Sequence, residues 1–202
     1  MQDEKQRFVK KRALAKRLDE DARKEQEFYV SKCLFKAVIY RRLVDIKKAE
    51  QWYREAVMTD TTKIDNLFIL ARFLQDQNRP IEPERWYKRI LALNPPESFL
   101  ANTLGEMAIF YQVNKRLIEA EQTYQQVHQI FQNLAQKDTN RYEPDLATTL
   151  NNMGTFYKAT NRPLEAEKAY QEAQQIWERW VQKNPDYYEP ALANTLDNLG
   201  SL

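Results

Sequence analysis

The sequence repeats itself at a fixed interval. The stretches Leu100-Ala-Asn-Thr-Leu104, Leu146-Ala-Thr-Thr-Leu150 and Leu192-Ala-Asn-Thr-Leu196 align without gaps, 46 residues apart both times. Tyr142-Glu143-Pro144 precedes the second and Tyr188-Glu189-Pro190 precedes the third. Another element recurs four times, as Ala49-Glu-Gln-Trp-Tyr53, Pro83-Glu-Arg-Trp-Tyr87, Ala120-Glu-Gln-Thr-Tyr124 and Ala166-Glu-Lys-Ala-Tyr170, at spacings of 34, 37 and 46 residues. Periods of this size mark an array of small units, each unable to bury its apolar face alone and therefore stacked on its neighbours.

Within one period the apolar spacing is helical. Leu146, Leu150, Met153, Gly154 and Tyr157 share one face, and Asn161-Arg162-Pro163 interrupts the pattern. Pro163 suits a first helical turn, where a missing N–H costs nothing. Ala166, Tyr170, Ala173 and Ile176 resume an apolar face until Asn184-Pro185 ends the helix. Each unit is thus a helical hairpin, with small residues such as Gly154 and Ala166 letting the paired helices approach. Composition agrees. With only 3 glycines the chain has few residues for positive-φ turns, which disfavours an all-β sandwich or barrel. At 43% hydrophobic residues it can form a core.

The order Leu150, Met153-Gly154, Tyr157, Ala166, Tyr170, Ala173 resembles the tetratricopeptide (TPR) repeat. Leu104, Met107-Ala108, Tyr111, Ala120, Tyr124 and Val127 repeat the match. Leu67, Leu70-Ala71, Leu74, Pro83, Tyr87 and Ile90 follow it more loosely. Cys33, Ala37, Tyr40, Ala49, Tyr53 and Ala56 give a first unit, with Lys36 where the family has Leu. The longer units resemble those of kinesin light chains and bacterial multi-repeat proteins. The resemblance implies an all-α, right-handed solenoid with units near 30–63, 64–100, 101–146 and 147–192 and a half-unit at 193–202. The solenoid as a whole would occupy 25–202. Pro83 is tolerable only in a first turn, so its helix is expected to start near Pro80. Leu192, Leu196, Leu199 and Leu202 lack a hairpin mate, which leaves a fragment of a longer array or a self-pairing end as expectations.

Residues 1–24 fit no repeat. A basic run (Lys5, Arg7, Lys10, Lys11, Arg12, Lys16, Arg17) precedes an acidic one at 19–25. The reading is an N-terminal helix or arm, first of all a solvated helix capping the first hairpin, with a flexible linker or a membrane or nucleic-acid contact as alternatives.

Chemistry points away from catalysis. The single histidine, His128, has no cysteine nearby in sequence, and a solenoid keeps it from Cys33. No Gly-rich phosphate loop or nucleophile elbow occurs. No enzyme, metal or cofactor is therefore expected. A net charge of +2, from 31 basic and 29 acidic residues, gives no case for nucleic acid. One cysteine allows no internal disulfide, no apolar run reaches membrane-spanning length, and no signal peptide is visible, so a cytoplasmic location is the default expectation.

In the family that the sequence resembles, the first helices of successive units line a concave face that binds peptides or partner proteins. By helical spacing the residues of this chain on that face include Arg72, Asn102, Gln112, Thr148, Asn151, Asn152, Thr155, Lys158, Asn194 and Asn198. Amides both donate and accept, and so could hold an extended peptide backbone independently of its sequence. The functional expectation is a protein- or peptide-binding scaffold. The alternatives are a structural module that self-assembles through open solenoid ends and a regulatory part of a larger protein.

Overall fold

The computed structural model describes the backbone of residues 2–202 and the side chains of residues 12–202. All regular structure among these residues is α-helical. The chain divides into two compact units, residues 1–82 and 83–202.

The first unit holds α1 (Gln2–Arg42), α2 (Ile46–Thr59) and α3 (Ile64–Asp76). Cys33 and Val30 of α1 pack with Ala56 of α2, flanked by Leu34 and Trp52. The Lys36 ammonium lies 3.8 Å from the Trp52 ring centroid, which explains how a lysine is accommodated at a position the family fills with Leu. Two ion pairs link α1 to α3, Glu27–Lys63 at 3.5 Å and Arg41–Asp76 at 2.8 Å. The basic and acidic N-terminal runs are one uninterrupted continuation of α1. Side chains 12–29 are all exposed, yet the end of this stretch meets the next helix, where Gln26 Nε2 donates to the Thr59 carbonyl at 2.7 Å and the Tyr29 hydroxyl to Glu55 at 3.3 Å. The basic residues Lys5, Arg7, Lys10 and Lys11 lie outside the described side chains.

The second unit holds α4 (Glu82–Ala92), which begins at the unit boundary, then α5 (Glu97–Val113), α6 (Leu117–Lys137), α7 (Thr139–Ala159), α8 (Pro163–Lys183) and α9 (Pro185–Gly200). Helix α4 starts at Glu82 rather than near Pro80, which puts Pro83 in the first turn, where its missing N–H is harmless. Helices α5, α7 and α9 begin before the residues at which the repeat match starts. In α7 and α9 the prolines of the Tyr-Glu-Pro motif, Pro144 and Pro190, lie inside the helix. Glu143 of that motif accepts from Trp180 Nε1 at 2.9 Å and from Arg179, tying α7 to α8. Trp177, Trp180, Ile176 and Ala173 of α8 close over Ala147 and Leu150 of α7, and Tyr188, Ala191 and Leu192 of α9 pack on the same cluster.

Two devices recur. The turns after α1, α3, α5 and α7 each place one residue in the left-handed region, Val44 (φ 61°), Asn78 (54°), Lys115 (62°) and Asn161 (60°), a task usually given to glycine. The arginine after the last three reaches back to the glutamate of the preceding Ala/Pro-Glu-x-x-Tyr element. The pairs are Arg79–Glu50 at 3.2 Å, Arg116–Glu84 at 2.5 Å and Arg162–Glu121 at 2.7 Å. Arg116 and Arg162 also stack on Tyr111 and Tyr157 at 4.3 and 4.5 Å. Three of the four recurring glutamates, Glu50, Glu84 and Glu121, are therefore inter-repeat ion-pair partners, a role beyond favouring the helix dipole.

Candidate interaction groove

Helices α5 and α7 are the first helices of successive hairpins, and a cleft of about 140 Å³ opens between them. Asn102, Gly105, Glu106 and Ile109 of α5 form one wall. Asp145, Thr148, Thr149 and Asn152 of α7 form the other, and Val127 and Phe131 of α6 provide an apolar floor. A β-carbon at Gly105 would meet nothing within 4 Å, so the absent side chain adds to the open space.

The structure brings together three of the expected residues, Asn102, Thr148 and Asn152. The Thr148 hydroxyl donates to the Pro144 carbonyl at 3.0 Å, which orients it on the wall. Burial pushes the Asp145 carboxyl above its ordinary range. Burial also raises the Tyr124 hydroxyl, reinforced by the nearby charge of Glu106. The cleft thus offers amides and carboxylates above an apolar floor. That set can accept main-chain N–H groups of an extended segment and hold one apolar side chain.

Other expected residues have structural work. Gln112 Oε1 accepts from the Tyr124 hydroxyl at 3.0 Å. Asn151 Oδ1 accepts from Thr195 Oγ1 at 3.2 Å and from Asn198 Nδ2 at 3.3 Å, joining α7 to α9. Thr155 donates to the Asn151 carbonyl at 3.0 Å and lies 3.1 Å from the Tyr170 hydroxyl. Lys158 Nζ donates to Ser201 Oγ at 2.6 Å. Asn194 is exposed on α9, and Arg72 belongs to the first unit, 6.0 Å from the Phe68 ring centroid. Sequence reasoning missed Gly105, Asp145 and the floor residues. The repeat itself held a signal, because Gly105 aligns with Asn151 and Asp197, so this wall position loses its side chain in one repeat only.

A second cleft, of about 250 Å³, is lined by His128, Leu150, Met153, Tyr157 and the α8 residues Glu165, Lys168, Ala169 and Glu172. His128 is half-buried there, and burial lowers its pKa against the opposing charge of Glu172. Among the described residues no three His, Cys, Asp or Glu side chains are grouped to hold a metal, and no helix is long and apolar enough to cross a membrane.

Residues 146–183, most of the α7–α8 hairpin, match the family model of the tetratricopeptide repeat. That hairpin is a tetratricopeptide repeat, and the helical fold is that of tetratricopeptide-repeat proteins. The repeats share their fold with BtubC (BKLC) from P. vanneervenii, at 19% identity and a TM-score of 0.66 over 79% of this chain. The chain spans 66% of that protein, just under two thirds of its length. They also share it with the TPR-like repeats of a kinesin light chain-type protein of Podospora anserina, at 17% identity and a TM-score of 0.60, covering 85% of this chain and 93% of that one. PilF of Pseudomonas aeruginosa is similar at 18% identity and a TM-score of 0.57, covering 88% and 78%. No curated protein matches the sequence.

Proposed function

We propose that the chain is a protein-interaction scaffold that holds an extended peptide segment between the first helices α5 and α7. The cleft at Gly105 carries this reading. A helix that omits a side chain where an amide and a carboxylate stand in the later repeats leaves room for a partner's backbone to approach. Asn102 and Asn152 supply donors and acceptors on opposite walls, and Val127 and Phe131 supply an apolar seat. Likeness to the repeats of a kinesin light chain-type protein supports an interaction module over an enzyme.

The test is selection of random dodecapeptides on the immobilised chain, followed by measurement of each selected peptide on a Gly105→Trp variant. Filling the cleft should weaken binding of the selected peptides at least about tenfold. Peptides that bind both proteins equally would place the interaction elsewhere.

A further inference from the structure

We propose that the cleft between α6 and α8 is a second binding site, which takes an arginine side chain presented by a partner protein. It lies between the second helices of successive hairpins and shares no residue with the α5–α7 groove. Comparison with the preceding repeat carries the inference. The floor is common to both, since Leu150, Met153 and Tyr157 of α7 recur one repeat earlier as Leu104, Met107 and Tyr111. The walls differ. His128, Lys168, Ala169 and Glu172 stand where the preceding repeat has Leu91, Gln122, Thr123 and Gln126. Thr123 is buried, and its hydroxyl donates to the Glu119 carbonyl at 2.6 Å. Ala169 lacks both that hydroxyl and its methyl, which helps to open the cleft of about 250 Å³. The same step from one repeat to the next puts an imidazole, an ammonium and a carboxylate at positions that are uncharged one repeat earlier.

The chemistry of the walls selects the ligand. His128 and Glu172 are half-buried, and neither has a hydrogen-bond partner among the described residues. Glu165 is already engaged, because it accepts from Arg162, which stacks on Tyr157. Lys168 is exposed at the rim. Burial holds the His128 imidazole below its ordinary range and pushes the Tyr157 phenol up, so both are neutral at pH 7. A neutral imidazole presents an acceptor nitrogen, and a carboxylate accepts at both oxygens. The cleft therefore sets acceptors and one buried-side negative charge above an apolar floor. A matching group has a methylene stem, a positive tip and several N–H donors. Arginine has that form, with its donors in a planar fork and a stem that can lie on Leu150 and Met153. Lysine offers a more strongly hydrated point charge without the fork, so a pair of acceptors favours arginine. An anionic ligand would meet the Glu172 carboxylate.

As the single histidine of the chain, His128 is its own reporter. The capped peptide acetyl-glycyl-arginyl-glycine amide is titrated into the full chain at pH 7, and the imidazole is followed by proton NMR. A saturable shift is expected. A peptide with citrulline in place of arginine keeps the shape without the charge, and should bind at least about tenfold more weakly. The arginine peptide should lose about as much on Glu172→Gln. That variant restores the residue type of the preceding repeat, Gln126, and should melt with the parent. Lys168→Gln removes a like charge from the rim and should tighten binding about twofold. Saturation with the arginine peptide should also move the His128 titration to lower pH, since a bound cation opposes the imidazolium while the other groups facing it, Tyr157, Glu165, Lys168 and Glu172, stay the same. No saturable shift, equal affinity for the citrulline peptide, an unmoved titration, or undiminished binding to Glu172→Gln would overturn the proposal. A Gly105→Trp chain should bind the arginine peptide as the parent does; loss of binding there would put the arginine in the α5–α7 groove and overturn it as well.

Discussion

The Tyr170 ring packs over Gly154 so closely that a β-carbon at Gly154 would come within 2.6 Å of it. The residues sit on α7 and α8, and their contact sets how near the two helices lie. Gly154→Ala must push the ring or the helix aside, at a cost of about 1–3 kcal/mol. Gly105 is the opposite case, a helical glycine facing open space. Gly105→Ala should stabilise by roughly 0.5–1 kcal/mol through lost unfolded-state entropy. Urea unfolding midpoints of the two variants should move in opposite directions.

Val44 holds φ at 61° although its β-branched side chain is 78% exposed and gains little from packing. The equivalent turns use Asn78 and Asn161 at the same position. Val44→Asn should stabilise by about 0.5–1 kcal/mol, read as a rise in thermal midpoint, because asparagine tolerates the left-handed region better.

Asn66 is 4% exposed, and its Nδ2 has no hydrogen-bond partner among the described residues. The later repeats place Thr103, Thr149 and Thr195 at this position. Thr103 and Thr149 donate their hydroxyls to the carbonyl four residues back, at 2.8 and 2.9 Å, and the Thr195 hydroxyl shares its proton between that carbonyl, at 3.0 Å, and Asn151 Oδ1. Asn66 is only the third residue of α3, so the carbonyl four residues back, that of Thr62, precedes the helix; Asn66→Thr removes the unsatisfied amide without gaining that bond and should stabilise by less than about 1 kcal/mol in the same urea assay.

Glu84 accepts from Arg116 at 2.5 Å and from the Tyr111 hydroxyl at 3.2 Å. The Arg116 bond, with help from Lys88, holds its carboxyl down to about 2 from an ordinary 4.5. A carboxyl depressed in the folded state stabilises fully above the unfolded value and loses that stabilisation as pH falls from about 4.5 toward 2. Arg116→Ala should cost about 1–2 kcal/mol at pH 7, after allowance for solvent screening. The cost should shrink across that acid window, which chemical unfolding at a series of pH values would show.

The hairpin architecture was legible because the apolar face of each helix and the closing element of each unit recur in register, as Leu146–Leu150 and Ala166–Tyr170 show. The continuous α1 was less so, since its charged runs carry no apolar stripe to fix their packing. The starts of α7 and α9 were not legible, because Pro144 and Pro190 lie within these helices and the repeat match begins only after them. Side-chain roles on the first-helix face were the hardest to read. Asn151 and Asn152 are neighbours of the same type, yet a rotation of one residue turns Asn151 into an α7–α9 tie and leaves Asn152 in the cleft. Helical spacing selects the face but not which amide another helix has already engaged.

The cleft between α5 and α7 is proposed to seat a peptide. Isothermal titration of selected dodecapeptides into the parent chain and into Gly105→Trp tests it most directly. Saturable binding to the parent is expected, falling at least about tenfold in the variant, with its α-helical circular dichroism unchanged. Equal affinity for both proteins, or a selection that enriches no binder at all, would contradict it.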